Sequence, residues 1–118
     1  MARKRQMKMY LVTYHQPASA WKKMEKMSEE EGLAAMGAWM KWAKKCGQNL
    51  KDMGAPLTPG QRLNGEGKAS PSKRKISGYS ILQATSLTEA KKMLKNHPHL
   101  SWGKGCEIEV HEAIDMVG

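Results

Sequence analysis

Four histidines are the natural starting point, because an imidazole gives and takes protons near neutral pH. Two of them flank a proline, His97-Pro98-His99. Proline cannot continue a helix, so this pair closes one. There His97 is expected to serve the helix C-terminus and its last carbonyls. His15 follows a strand and would overhang any cleft that the strand borders, although a loop imidazole is more often simply solvated. His111 alternates in phase with Glu107 and Glu109, which predicts a solvent-facing side of a strand. Asp52 and Asp115 are the only aspartates; either could orient a histidine, but nothing in the spacing places one near His99.

Other chemistries find little support. His97, His99, Cys106 and His111 could be imagined around a metal, but neither H-E-x-x-H nor a paired C-x-x-C is present, and no metal is expected. Ser77 and Ser80 lack a neighbouring base and a G-x-S-x-G elbow. Asn64 to Lys68 (NGEGK) lacks phosphate-loop spacing and reads as a turn. No cofactor is expected. Of the tryptophans, Trp39 and Trp42 fall on a helix as core and rim, whereas Trp21 and Trp102 flank loops and could wall a cleft.

At 118 residues with 40% hydrophobic composition, one domain with a real core is expected. Ten methionines make that core adaptable. No apolar run approaches the roughly 18 residues that span a bilayer, and Met9 to Val12 is too short for a secretory signal. The chain is expected to be cytoplasmic, with no membrane partner and with Cys46 and Cys106 reduced. The formal charge of +9 suits an acidic partner, a nucleic acid or an anionic metabolite. Much of it lies in Arg3, Lys4, Arg5 and in Lys68, Lys73, Arg74, Lys75, where solvation is reason enough. RNA recognition on a sheet needs stacking aromatics in an RNP pattern; the chain has no Phe and its strand 76–85 offers only Tyr79. Nucleic acid is not the expected partner.

Positioning these residues takes a regular succession of elements. Residues 1–6 read as a disordered basic leader and 7–118 as a single domain. MKMYLVTY (7–14) alternates Met7, Met9, Leu11, Thr13 against Lys8, Tyr10, Val12, Tyr14, as in a half-buried strand. Residues 18–27 predict a short helical turn. Ser28 with Glu31 forms a capping box, and a wide apolar stripe predicts a helix over 29–53, stopped by Gly54 and Pro56. Ala55 to Leu63 is an edge-type extended segment with two prolines, and 64–75 a Gly/Ser/Lys loop. Residues 76–85 form a strand, Ser86 and Glu89 box a second helix, Pro98 stops it, and CEIEV alternates into a last strand. The order β-α-β-β-α-β is ferredoxin-like, an α+β fold with a four-stranded antiparallel sheet and both helices on one face. The other face would carry Tyr10, Val12, Tyr14, Tyr79 and Ile81, a patch suited to a subunit interface or ligand site.

The strand MKMYLVTY, the run GYSILQATSLTEAKKMLKNHPHL and the Gly-bracketed turn into CEIEV resemble the YCII-related family of the dimeric α+β barrel superfamily. The similarity covers most of residues 7–112. It implies a homodimer through the open sheet face, a cleft between sheet and helices, and kinship with small isomerases and dehydrohalogenases that use a His-Asp pair. It also places a histidine at position 99, beside the loop into the last strand, as acid/base or ligand-orienting donor. The enzymatic members carry a histidine on the first long helix, and 29–53 has none; their Asp-Gly-Pro-Phe segment is replaced by SPSKRKISG. Acid–base chemistry here would therefore be built differently. The reading that results is a protein binding a small anionic or aromatic organic molecule, with His99 at the polar centre, Tyr14, Tyr79 and Trp102 as walls, and His15 at the mouth. Proton-transfer chemistry of isomerase or lyase type would follow; the alternative is a non-catalytic binding or regulatory module.

Overall fold

The computed structural model describes residues 7–114; the basic leader 1–6 and Asp115 lie outside the described residues. β1 (Lys8–His15) is central, antiparallel to β5 (Ile76–Ala84) on one side and to β6 (Glu107–Ala113) on the other. A short strand β2 (Leu50–Asp52) pairs with the far side of β5, giving the order β2-β5-β1-β6. This is the expected four-stranded antiparallel α+β arrangement. Three helices accompany the sheet: α1 (Ala18–Glu25), α2 (Glu29–Cys46) and α3 (Leu87–Leu94). The core joins Tyr10, Val12, Tyr14, Leu82 and Ala84 of the sheet to Trp42 and Cys46 of α2 and Ala90 and Leu94 of α3.

The two faces of β1 are the reverse of the expectation. Tyr10, Val12 and Tyr14 lie under the helices, while Met7, Met9 and Leu11 are exposed. Both sets are apolar enough to bury, so alternation alone cannot choose. Cross-strand partners choose instead, since facing residues share a face. Tyr14 sits opposite Gly78, where a Cβ would lie 3.4 Å from the Tyr14 ring, and Trp39 meets that ring edge-on at 4.8 Å. An aromatic row therefore fits against the helices. The open face instead carries Met9, Leu11 and Thr13 with Tyr79 and Ile81 of β5 and Glu109 and His111 of β6. Tyr14 and Tyr79 are on opposite sides of the sheet.

The helix starts match their sequence signals. Ser28 Oγ accepts from Glu31 N–H and the Glu31 carboxylate accepts from Ser28 N–H, a complete capping box. Ser86 likewise accepts from Glu89 N–H, but the Glu89 carboxylate takes Thr85 N–H and Thr85 Oγ1–H instead of closing the box. The end of α2 differs from the expected 29–53. The helix stops at Cys46, Gly47 takes φ +59, a 3₁₀ turn covers Gly47–Asn49, and Leu50 opens β2. Leu50 continues the helical apolar spacing, yet it also matches the β5 ladder opposite Leu82. Gly54, expected as the helix stop, instead ends β2: at φ +77 any Cβ there would collide with the Tyr79 carbonyl.

Ala55 to Leu63 is partly the edge segment foreseen, with Pro56 bridging Gly78 and Leu57 N–H bonding Ser77 O at 2.8 Å. Its end forms β3 (Gln61–Leu63), paired with β4 (Ala69–Pro71) in a separate two-stranded sheet, so residues 64–75 are not wholly loop. NGEGK is the hairpin turn: Asn64 Oδ1 accepts from Glu66 and Lys68 N–H.

Candidate functional site

His97 is 1% exposed. Trp42, Trp39 and Tyr14 surround its ring at centroid distances of 4.3, 4.4 and 4.9 Å. Its Nδ1 accepts the His99 backbone N–H at 2.9 Å, capping the 3₁₀ turn Pro98–Ser101. The His97 side chain therefore caps the start of the next turn, while its backbone N–H bonds the carbonyl of Leu94, the last residue of α3, at 3.1 Å. The bond fixes the neutral tautomer, with the proton on Nε2, and that atom has no partner. Burial, with His99 nearby as a lesser cause, pushes the His97 pKa down to about 3. His99 is buried too, and its Nε2–H donates to the His15 carbonyl at 2.8 Å. Desolvation lowers its pKa; backbone bonds to His15 and Glu107 pull partly the other way.

Tyr14 closes the same cluster. Ser80 Oγ donates to the Met53 carbonyl at 2.7 Å, so its single proton is committed and the Tyr14 hydroxyl must donate in their 2.8 Å bond. Burial holds the phenol well above its usual range, the Ser80 bond opposing. These rings pack together where α2 and the turn Pro98–Ser101 meet the sheet.

An open hollow lies at the end of the sheet. This hollow of about 560 Å³ is lined by His15, Gln16, Pro17, Lys73, Arg74, Lys75, Gly105, Glu107 and Glu109. The register with β5 shifts between Tyr14, opposite Gly78, and His15, opposite Ile76, so the extra residue, Ser77, stands in β5. Gln16 N–H binds Lys75 O at 3.1 Å, and Lys75 itself holds φ 56, a left-handed conformation uncommon outside glycine. The basic segment is thereby pinned over the end of β1.

His15 is held from both sides of its ring. Nδ1–H donates to Arg74 O at 2.9 Å, and Nε2 is 2.8 Å from Thr13 Oγ1. With Nδ1 committed as donor, Nε2 is the basic nitrogen and accepts the Thr13 hydroxyl. Glu109 Oε1 lies 3.8 Å from that Nε2 and 3.2 Å from His111 Nε2. The Glu109 pKa is lowered, first by the bond from His111 and then by His15. A histidine whose basic nitrogen is shared between a hydroxyl and a carboxylate can pick up and release a proton at one defined atom.

Of the residues singled out in the sequence, His15 lines this cleft. His99 supports it from behind through the His15 carbonyl. Tyr14 belongs to the buried cluster, and Tyr79 faces the open side, across from Thr13. Trp102 stands apart, with Lys23 Nζ 4.3 Å from its ring centroid and bonded to its carbonyl at 2.6 Å; its indole N–H is buried without a partner. Thr13, Arg74 and Glu109 contact or approach His15 and were not among the candidate residues read from the sequence. Glu109 was legible only as the polar side of a strand, because its meeting with His15 depends on β6 lying beside β1. Among the described residues no three His, Cys, Asp or Glu side chains converge as around a metal ion, and no helix is long and apolar enough to cross a membrane. Cys46 and Cys106 are free and buried, and burial raises both thiol pKa values. A second hollow, of about 510 Å³, runs between α2 and α3 beside Trp42 and Cys46.

A family model described as the YCII-related domain matches residues 7–114. No curated protein matches the sequence. The chain is similar to a solved structure of 5-chloro-2-hydroxyhydroquinone dehydrochlorinase from Burkholderia phenoliruptrix AC1100 in complex with 2,5-dihydroxybenzoquinone. The two share 16% identity over 86% of this chain and 90% of that one, with a TM-score of 0.48.

Proposed function

The chain belongs to the YCII-related family, and from that premise we propose that it binds a small organic anion at the end-of-sheet cleft, with His15 as the proton-handling group. One observation carries this reading: His15 Nε2, between Thr13 Oγ1 and Glu109, faces a hollow rimmed by Lys73, Arg74 and Lys75. Three fixed cations against Glu107 and Glu109 leave the rim net positive, which favours a carboxylate or phenolate. The reaction class is proton transfer within the bound molecule, of isomerase or lyase type. His15 would take a proton at Nε2 while Thr13 turns from donor to acceptor and Glu109 stabilises the imidazolium. His99 acts as a positioning residue, holding the His15 backbone by its Nε2–H.

The same geometry favours a second reading, binding without turnover, because both His15 nitrogens are already bonded within the protein. For either reading we place the protein in the cytoplasm, where two free thiols persist. We assign the exposed Met9 and Leu11, with Tyr79 and Ile81, to a sheet-to-sheet homodimer.

The test is a panel of small aromatic and aliphatic carboxylates, benzoate and acetate first, followed by NMR of the histidine side chains. Binding should shift the His15 ring signals and weaken in Arg74→Ser and Lys75→Ser. Solvent-exchange of substrate C–H protons that disappears in His15→Gln supports catalysis; binding with no exchange supports the module. Ligands that leave the His15 signals unmoved would place the site elsewhere.

A further inference from the structure

The outer flank of α2 carries apolar side chains that neither the core nor the proposed cleft uses. Leu33, Met36 and Met40 are 64%, 61% and 55% exposed. At about 100° per residue, Glu29, Leu33, Met36, Gly37, Met40 and Lys44 fall along one stripe. It lies well to the side of the buried Trp42 and Cys46. Three large exposed apolar side chains in line on one helix are an interaction surface, not scattered exposure.

The order of residues along this stripe identifies the occupant. Reverse the helix about a point between Met36 and Gly37 and every member maps onto another member. Glu29 falls on Lys44, Leu33 on Met40, and Met36 on Gly37. In one chain Glu29 and Lys44 stand at opposite ends of α2, about 22 Å apart at 1.5 Å per residue, and among the described residues neither takes part in an ion pair. Across a twofold axis they meet as opposite charges. Met36 then enters the space over Gly37, where nothing lies within 4 Å of a would-be Cβ. A glycine facing a long side chain lets two helices approach closely.

We propose that α2 pairs antiparallel with α2 of a second copy of this chain, about a twofold axis between Met36 and Gly37. This is an isologous interface, and it is distinct from the open sheet face. A chain using both faces assembles beyond a dimer, and one using α2 alone is a dimer.

Sedimentation of the full chain across micromolar concentrations tests the pairing. Met36→Glu puts two carboxylates beside the axis and should halve the mass of the assembly; the residue is exposed, so helicity by circular dichroism stays that of the wild type. Glu29→Lys alone and Lys44→Glu alone each set like charges together at two related positions and should weaken association on the order of tenfold. The double variant Glu29→Lys/Lys44→Glu should recover most of that loss. Leu11→Glu, on the open sheet face, reports the other interface separately. A wild type whose mass Met36→Glu leaves unchanged, or a double exchange no better than its single variants, overturns the proposal. So does a wild type whose assembly is abolished by Leu11→Glu alone.

Discussion

His97 gives the sharpest quantitative prediction, because its surroundings leave its charged form no support. Trp39, Trp42 and Tyr14 pack on the ring, its Nδ1 lone pair is spent on the His99 N–H, and Nε2 meets no acceptor. Protonation would bury a cation and break the cap at once. The folded-state pKa is accordingly pushed down to about 3, against roughly 6.5 in an unfolded chain. When a histidine pKa is lowered by folding, the unfolded state binds the extra proton. Stability is then complete above about pH 6.5 and falls as acid is added, down to about pH 3. At pH 5, about 1.5 units below the unfolded value, the loss from His97 alone is about 2 kcal/mol. His99, shifted in the same direction, adds to it.

Urea unfolding at pH 7, 6 and 5, read by tryptophan fluorescence at fixed protein concentration, measures this loss. The window is favourable because ordinary carboxylates titrate below it. In His97→Asn a carboxamide oxygen can still cap the His99 N–H but does not titrate. That variant should lose about 2 kcal/mol less than the wild type between pH 7 and 5. It should also be weaker at pH 7, because the ring it lacks fills an aromatic nest. Should the variant fold poorly, the wild-type imidazole still answers by NMR: His97 signals should not move between pH 7 and 5. A His97 ring that titrates near 6.5, or equal pH slopes for the two proteins, would falsify the reasoning.

Ser80→Ala should cost about 2–4 kcal/mol in urea unfolding, since it strands both the Tyr14 hydroxyl and the Met53 carbonyl. Tyr14→Phe, which leaves the Ser80–Met53 bond intact, should cost only about 1 kcal/mol; the reverse ranking would mean that the proton runs the other way. Trp42→Phe removes the indole N–H bond to Met93 O, 2.8 Å long, and strands a carbonyl between α2 and α3, which should cost about 1–3 kcal/mol. Gly54→Ala should cost at least about 3 kcal/mol, because φ +77 and the Tyr79 carbonyl both oppose a Cβ. A melting temperature within two or three degrees of the wild type would contradict the observed path of β2.

Which parts of this molecule were legible in the sequence follows from the range of each interaction. The cap at Ser28 and the helix start at Ser86 are contacts between residues three apart, and both stand where the sequence puts them. Strands β1, β5 and β6 announce themselves by alternation, which needs no partner to be read. The failures all concern choices made across the fold. Tyr10-Val12-Tyr14 and Met7-Met9-Leu11 are equally apolar, and only Gly78 and the tryptophans of α2 decide which row goes inward. Leu50 fits the spacing of α2 and equally the ladder of β5, and Gly47 at φ +59 settles it. In the site, His15 and Glu109 are ninety-four positions apart and meet because β6 lies beside β1.

The histidines then divide by surroundings, not by sequence motif. His97 and His99 form the memorable signature, and burial lowers the pKa of both, that of His97 to about 3, while backbone bonds oppose the shift at His99. His15, with no motif around it, has the carboxylate, the hydroxyl and the basic rim. The two sets are joined by one bond, from His99 Nε2–H to the His15 carbonyl. Because His97 in turn holds the His99 backbone, packing in the aromatic nest is transmitted to the backbone that carries His15. His99→Ala should therefore loosen the His15 loop and alter His15 NMR line widths, even though the His99 ring itself never needs to touch a ligand. An unchanged His15 signal in that variant would separate the two histidine sets entirely.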